Sequence, residues 1–316
     1  MHVVATPGGA TLLQGNPDVA GVTVYDKRGA SKGLGGLATT AAALAGARNA
    51  AAAHGARRAA AYLAQGSVRS AALARAAGFR ARIGFTTSAG RWLYTKRVEY
   101  RDDRHHAERL WRLAAEGDGV APTPEQLRPR LFPNEADRSA VDALLRDAPV
   151  PRGRLIALAP ASVWATKRWP YYADLARDLA TATIVVIGAK EDAALAREIT
   201  AAAPGRVIDA TGQLTLLGSA ELLRRCAVLV TNDSAPQHLA SAVGTPTITA
   251  FGPTVPAFGF GPLAPGSRVA GVDGLACRPC DRHGPRVCPL GHWRCMRELT
   301  PASVAALVAS IEMQRS

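Results

Sequence analysis

The sequence is poor in the features that place a chain in a membrane or on a nucleic acid. No run approaches the roughly 18 uncharged apolar residues of a membrane span, and the Ala-rich stretch from Leu37 to Ala53 is broken by Gly46, Arg48 and Asn49. The opening MHVVATPGGA lacks the charged and apolar regions of a signal peptide, so the expected location is the cytosol. Aromatic side chains make up 5% of the residues and do not interleave with basic ones, which leaves no stacking platform for bases. Neither GxGxxG nor GxxxxGK followed by Ser or Thr occurs, so the dinucleotide and P-loop fingerprints are both missing. Acidic residues are scarce: 25 Asp and Glu face 38 Lys and Arg, a net charge of +13. That balance fits an anionic membrane surface, a phosphorylated substrate, or no more than a solvated basic face.

What the chain does have is length and a regular alternation. With 316 residues, 48% hydrophobic and 20% charged, it has room for two globular domains with their own cores. From Val150 onward short apolar runs alternate with amphipathic helical segments: RLIALAP, ATIVVIGA, RVIDATG, AVLVTND and TITAF read as strands, and PYYADLARDLA, EDAALAREITAAA and LGSAELLRRC as helices. Such alternation predicts a parallel sheet with helices on both faces, whose ligands bind at the carboxyl ends of the strands. The first half repeats the theme less cleanly, with VTVYDK, AAAYLAQGS and RIGFTT as strands and Gly35 to Ala53 and VRSAALARAAG as helices. The Pro- and Gly-bearing DAPVPRGR is the expected linker, which divides the chain into domains 1–148 and 149–316.

Two predicted strand ends carry chemistry. APASVWATKRWP, residues 159 to 170, leaves a strand through small and hydroxyl residues and reaches Lys167 and Arg168 just before a helix opened by Pro170; hydroxyls, main-chain N–H groups and a cation there suit a diphosphate. The second, VLVTNDSAPQHLASAVGTPTITAFGPT, runs a strand into Asp233 and Ser234, opens a helix that Ser234 is expected to cap and that carries His238, and ends in a further loop, Gly252, Pro253 and Thr254.

These two motifs, together with CRPCDRHGPRVCPLGHWRCMRELTP, resemble the ADP-heptose:lipopolysaccharide heptosyltransferases of glycosyltransferase family 9. LLQGNPDVAGVTVYDKRG, AAYLAQGSVRSAALARAAGFRARIGF and GRWLYTKRV are similar to that family's N-terminal domain, so the resemblance covers nearly the whole chain. It implies a GT-B fold, two facing Rossmann-like α/β domains with an interdomain cleft: an N-terminal acceptor-binding domain and a C-terminal domain that binds the nucleotide sugar. Ser162, Thr166, Lys167, Asp233, Ser234, Ala235, His238, Gly252, Pro253 and Thr254 would form the donor site; the family has Gly where this chain has Ala235. The implied reaction is inverting, metal-independent transfer of a heptose from ADP-heptose to the anionic Kdo-lipid A acceptor at the inner face of the cytoplasmic membrane, with no cofactor required and no nucleic acid as partner. The chain holds no Asp-x-Asp pair. The family's general base is an Asp in an LGD motif on the first βα loop. The sequence begins at the following strand, so the first βα unit is expected to lie upstream of Met1. A truncated or non-catalytic homologue that binds a nucleotide sugar, or a member using another sugar, is the alternative.

On the acceptor side Gln65, Ser67 and Arg69 stand at a strand-to-helix turn, Arg91, Lys96 and Arg97 form a basic hairpin-like stretch, and His105, His106 and Arg109 open a helix. Cations there suit an acceptor bearing carboxylates and phosphates. Cys277, Cys280, Cys288 and Cys295, with His283 and His292 interleaved, leave three readings open: a structural zinc site, an iron–sulfur cluster, or reduced thiols in a packed loop. The C-terminal helix from Pro301 is expected, by analogy of fold, to pack back on the N-terminal domain.

Overall fold

The computed structural model describes residues 1–53, 59–117, 119–148, 150 and 154–313. The chain forms two compact units, Met1–Leu127 and Arg128–Ser316.

The first unit contains β1 (His2–Ala5), α1 (Pro7–Leu12), β2 (Gly21–Val24), α2 (Gly33–Ala53), β3 (Ala60–Leu63), α3 (Val68–Ala76), β4 (Ala81–Phe85), β5 (Lys96–Val98), α4 (His106–Ala114) and α5 (Pro124–Leu127). β1 and β2 pair in parallel, and β3, β4 and β5 form a second parallel sheet in that order. Because β5 runs parallel to β4, the stretch from Arg91 to Arg97 is not hairpin-like: a 3₁₀ turn at Arg91–Leu93 carries the chain back so that Lys96 pairs with Ile83. Leu63, Ala71, Ala74 and Tyr94 fill one side of this sheet, and Ile83, Phe85, Val98 and Leu113 the other.

The second unit begins with α6 (Glu135–Arg146) and continues with β6 (Leu155–Ala159), α7 (Tyr172–Asp178), β7 (Thr183–Val186), α8 (Ala193–Ala202), β8 (Val207–Asp209), α9 (Leu216–Arg224), β9 (Val228–Asn232), α10 (Ala235–Val243), β10 (Thr247–Ala250), β11 (Arg268–Ala270), α11 (Arg294–Arg297) and α12 (Pro301–Met313). All six strands are parallel, in the order β11-β10-β9-β6-β7-β8. β6, β7, β9 and β10 are buried on both faces apart from Leu155, which explains why they read as unbroken apolar runs. From β6 the chain winds outward through β7 and β8, then returns to lay β9 on the other side of β6. The strand order therefore reverses between β6 and β9, which is where open α/β sheets bind ligands.

Two features correct the sequence reading. The first unit ends at Leu127 rather than at residue 148, because α6 packs on α9: Thr215 donates to Asp137 at 2.6 Å and Arg225 to Asp142. Part of the expected linker, residues 149 and 151–153, lies outside the described residues. Helix α12 buries Val304, Val308 and Ile311 in the same core as β6, β7 and α7, so its apolar face belongs to the second unit and not to the N-terminal domain.

Candidate functional site

Three loops leave the sheet at one level. Ala159, the last residue of β6, pairs with Thr231, and Asn232, the last of β9, pairs with Ala250, the last of β10. The loops that follow therefore start side by side.

A buried ion pair joins them. Lys167, 9% exposed, places Nζ 2.6 Å from Oδ2 of Asp233. The same oxygen accepts the Thr254 hydroxyl at 2.7 Å, and Oδ1 accepts Gln237 Nε2 at 3.2 Å. Gln237, fully buried, also donates to Phe260 O at 3.0 Å and accepts the Thr249 hydroxyl at 3.1 Å. A charge-assisted contact that short, with every participant tied to the sheet, fixes one cation and one anion at the switch point. Asn232 links the same two loops through the main chain: its Oδ1 accepts Trp169 N at 2.9 Å and its Nδ2 donates to Pro160 O at 2.8 Å.

Around this pair the structure gathers most of the expected donor residues. Ser162 and Thr166 are buried in the loop that carries Lys167, and Gly252, Pro253 and Thr254 are buried in the loop after β10, where Thr254 meets Asp233. Gly252 has no room for a side chain, because a Cβ there would stand 2.7 Å from Met296 Cε. Ala235 and His238 lie exposed on the first turn of α10. Two expectations are corrected. Lys167 sits in a 3₁₀ turn, Ala165–Lys167, while α7 begins only at Tyr172, so the cation is held by Asp233 and not by standing at a helix start. Ser234 occupies the N-cap position of α10 but does not cap it; its hydroxyl donates back to Asn232 O at 3.3 Å. Beyond Thr254 the loops after β10 and β11 border a cavity of 490 Å³ lined by Val255, Pro256, Val272, Asp273 and Arg278.

The acceptor-side residues are spread through the first unit. Gln65 and Arg69 are exposed, and Ser67 caps α3 by accepting Ser70 N at 3.1 Å. Arg91 is exposed in its 3₁₀ turn, and Lys96 pairs with Glu116 at 3.1 Å. Arg109 is different: it is 4% exposed, lies over the Tyr100 ring, and donates to Arg101 O, Asp102 O and the Tyr100 hydroxyl at 2.7–2.8 Å. Its guanidinium anchors α4, and it leaves the acceptor set. His105 caps the same helix, its Nδ1 accepting Ala107 N at 3.1 Å.

Cys277, Cys280 and Cys288 lie in the loop that follows β11, and Cys295 is buried in α11. Among the described residues, no three His, Cys, Asp or Glu side chains are arranged as they stand to hold a metal ion.

A six-stranded parallel sheet with a buried Lys–Asp pair and hydroxyl-lined loops at its switch point defines a doubly wound α/β protein with a site suited to an anionic ligand. The chain belongs to glycosyltransferase family 9 (heptosyltransferase), whose model matches residues 55–292. It is 30% identical over 163 residues to lipooligosaccharide heptosyltransferase 2 of Campylobacter jejuni serotype O:2, covering 48% of this chain and 49% of that protein. To lipooligosaccharide heptosyltransferase 2 of Haemophilus influenzae it is 33% identical over 125 residues, covering 37% of this chain and 35% of that one. The matched stretches thus span between a third and a half of these relatives. The fold is that of solved structures: a family 9 glycosyl transferase from Veillonella parvula (TM-score 0.81, 20% identity, covering 99% of this chain and 88% of that one) and the Escherichia coli ADP-heptose lipopolysaccharide heptosyltransferase II (TM-score 0.73, 22% identity, 99% and 89%).

Sequence reasoning missed Asn232, Gln237 and Thr249. Gln237 carried a usable signal: it falls four residues after Asp233 and four before Ser241, a polar row along a helix that otherwise packs with apolar residues. Thr249 looked like an ordinary β-branched strand residue, and nothing local marks it as a hydrogen-bond donor.

Proposed function

We propose that the protein transfers a heptose from ADP-heptose to the inner core of lipopolysaccharide, with inversion and without a metal in the reaction. The observation that carries this reading is the Lys167–Asp233 pair at the switch point of the sheet, within a chain whose family and structural relatives are heptosyltransferases. In such a transfer the leaving ADP gains negative charge as the glycosidic bond breaks. A cation already fixed at that point stabilises the transition state without reorganising. Asp233 holds the ammonium in place at 2.6 Å. The attacking hydroxyl must also lose its proton, and no residue of this chain is assigned that role.

The acceptor would be an anionic lipid-linked saccharide met at the membrane surface. Exposed Arg69, Arg91 and Arg97, with Gln65 and Ser67, are the residues proposed to meet its phosphates and carboxylates. No helix among the described residues is long and apolar enough to cross a membrane. Attachment to the surface would therefore rest on the +13 charge, and would weaken as salt is raised.

The test is calorimetric titration with ADP followed by transfer from ADP-heptose to Kdo-lipid A, using this chain and a form extended upstream of Met1. Lys167→Ala is expected to weaken ADP binding by about ten- to a hundredfold, the value of one charge-assisted hydrogen bond of about 1.5–3 kcal/mol. An unchanged affinity in that variant overturns the donor site. ADP binding without transfer by either form overturns the acceptor.

A further inference from the structure

Helix α10 buries an amide where its packing asks only for volume. Gln237 lies on the covered face of the helix with Leu239, Ala240 and Ser241, and Thr249, its partner on β10, is fully buried as well. A methionine at 237 and a valine at 249 would fill the same space with no polar group to satisfy, and burying an amide costs free energy unless each of its donors and acceptors is met. Here they are met. Nε2 spends one N–H on Asp233 Oδ1 at 3.2 Å and the other on Phe260 O at 3.0 Å, while Oε1 takes the Thr249 hydroxyl at 3.1 Å. Both targets of Nε2 can only accept, so turning the amide over would set its oxygen against a carboxylate and a carbonyl. One orientation is allowed, and Thr249, paired with Thr231 inside the sheet, holds it there.

Asp233 needs such a hold. It is the first residue beyond β9, past the last sheet pair of Asn232 with Ala250, and the terminal torsion of an aspartate has a broad, shallow well. Its Oδ2 binds Lys167 and Thr254, both of which lie on loops. A turn of the carboxylate would therefore carry the ammonium with it. The Gln237 amide grips the other oxygen, and Gln237 is itself anchored: its carbonyl accepts the Ser241 hydroxyl at 2.8 Å, whose oxygen accepts Leu263 N at 2.9 Å. A continuous row of hydrogen bonds thus runs from Thr249 in β10 through Gln237 to Asp233 and Lys167.

We propose that Gln237 is a positioning residue of the donor site: by holding Asp233 Oδ1 it fixes where Lys167 Nζ stands when the leaving diphosphate gains charge. The inference rests on the donor-site reading given above. Gln237 is fully buried and acts only through Asp233. A cation aimed in advance is worth more than one that must be moved into place, and a misplacement of about 1 Å can cost up to about a hundredfold.

The experiment is calorimetric titration of this chain with ADP. Gln237→Met keeps the length of the side chain and removes both N–H groups; it is expected to weaken ADP binding by about tenfold. In a Lys167→Ala background the same substitution should change nothing further, because its effect passes through that lysine. Gln237→Met/Thr249→Val, which leaves no buried hydroxyl without a partner, should keep a cooperative urea transition and the weakened affinity. Gln237→Glu separates positioning from packing. The charged groups around it are Asp233, Lys167, His238 on the same helix, and Arg278, which donates to Thr254 O at 3.3 Å. Burial and the Asp233 carboxylate raise the new carboxyl above its ordinary value of about 4.3. Below that raised value its O–H donates to Asp233 as the amide does; above it two carboxylates repel. Affinity relative to the wild type at each pH, which cancels the titration of ADP and of His238, should therefore recover toward acid in Gln237→Glu and at no pH in Gln237→Met. Wild-type affinity in Gln237→Met, or a loss that simply adds to that of Lys167→Ala, overturns the positioning role and leaves the donor site standing. An unchanged affinity in Lys167→Ala overturns the donor site and this inference with it.

Discussion

Glu221 shows what one buried side chain does in this protein. It is 1% exposed on α9, and its carboxylate accepts Arg224 through both oxygens at 2.7 and 2.8 Å and Arg225 at 2.8 Å. The Arg224 hydrogen bonds are the largest influence and hold the carboxyl below its ordinary value; desolvation opposes them and Arg225 assists. A carboxyl depressed on folding contributes stability that is complete above its unfolded value of about 4.3 and is lost as the pH falls through the folded value, because the unfolded chain binds the proton first. Glu221→Gln should therefore lower stability at pH 7 and flatten the acid limb of the stability curve, both read by urea denaturation across pH 3–7. A hydrogen bond to a charged group is worth about 1.5–3 kcal/mol. The loss belongs at the lower end of that range because the Arg224 side chain is 55% exposed and screened by water.

At the scale of elements, the ties between loops matter more than the loops themselves. Asn232→Ala would strip partners from Trp169 N–H and Pro160 C=O, both buried in the loop after β6. The expected cost is about 1–3 kcal/mol for each group left unsatisfied, measured by thermal and urea unfolding, with a weaker ADP affinity than the wild type. Such a tie explains which parts of the site could be read in the sequence. The strands β6, β7, β9 and β10 were legible because both faces are buried and their apolar runs are continuous. Loops rich in hydroxyls and a cation were legible because they follow those runs. The pairing of Lys167 with Asp233 was not, since 66 residues and three strands of winding separate them. The same limit hid the parallel pairing of β5 with β4: two short strands joined by about ten residues look like a hairpin, and only the 3₁₀ turn at Arg91–Leu93 shows otherwise.

At the scale of the whole chain, the division at Leu127 has a measurable consequence. The sequence DAPVPRGR marks a linker but says nothing of which unit the preceding helix joins. That choice is made by Val141, fully buried, and by the Asp137–Thr215 and Asp142–Arg225 contacts. A fragment spanning 128–316 should unfold cooperatively in urea. One spanning 149–316 should be less stable by about 3 kcal/mol or more, since each buried Val or Leu contributes about 1.5–3 kcal/mol and α6 also supplies two polar ties. Equal midpoints for the two fragments would return α6 to the first unit.

The parallel sheet has one more effect. Because all six strands point the same way, α8, α9 and α10, which follow β7, β8 and β9, all begin on one rim. Each brings the positive end of its peptide dipole there, equivalent to about half a positive elementary charge. This part of the rim's polarity resides in the main chain. It has no pKa, so no change of pH titrates it. No acetylation of lysine removes it, and it survives any side-chain replacement that leaves the helices wound.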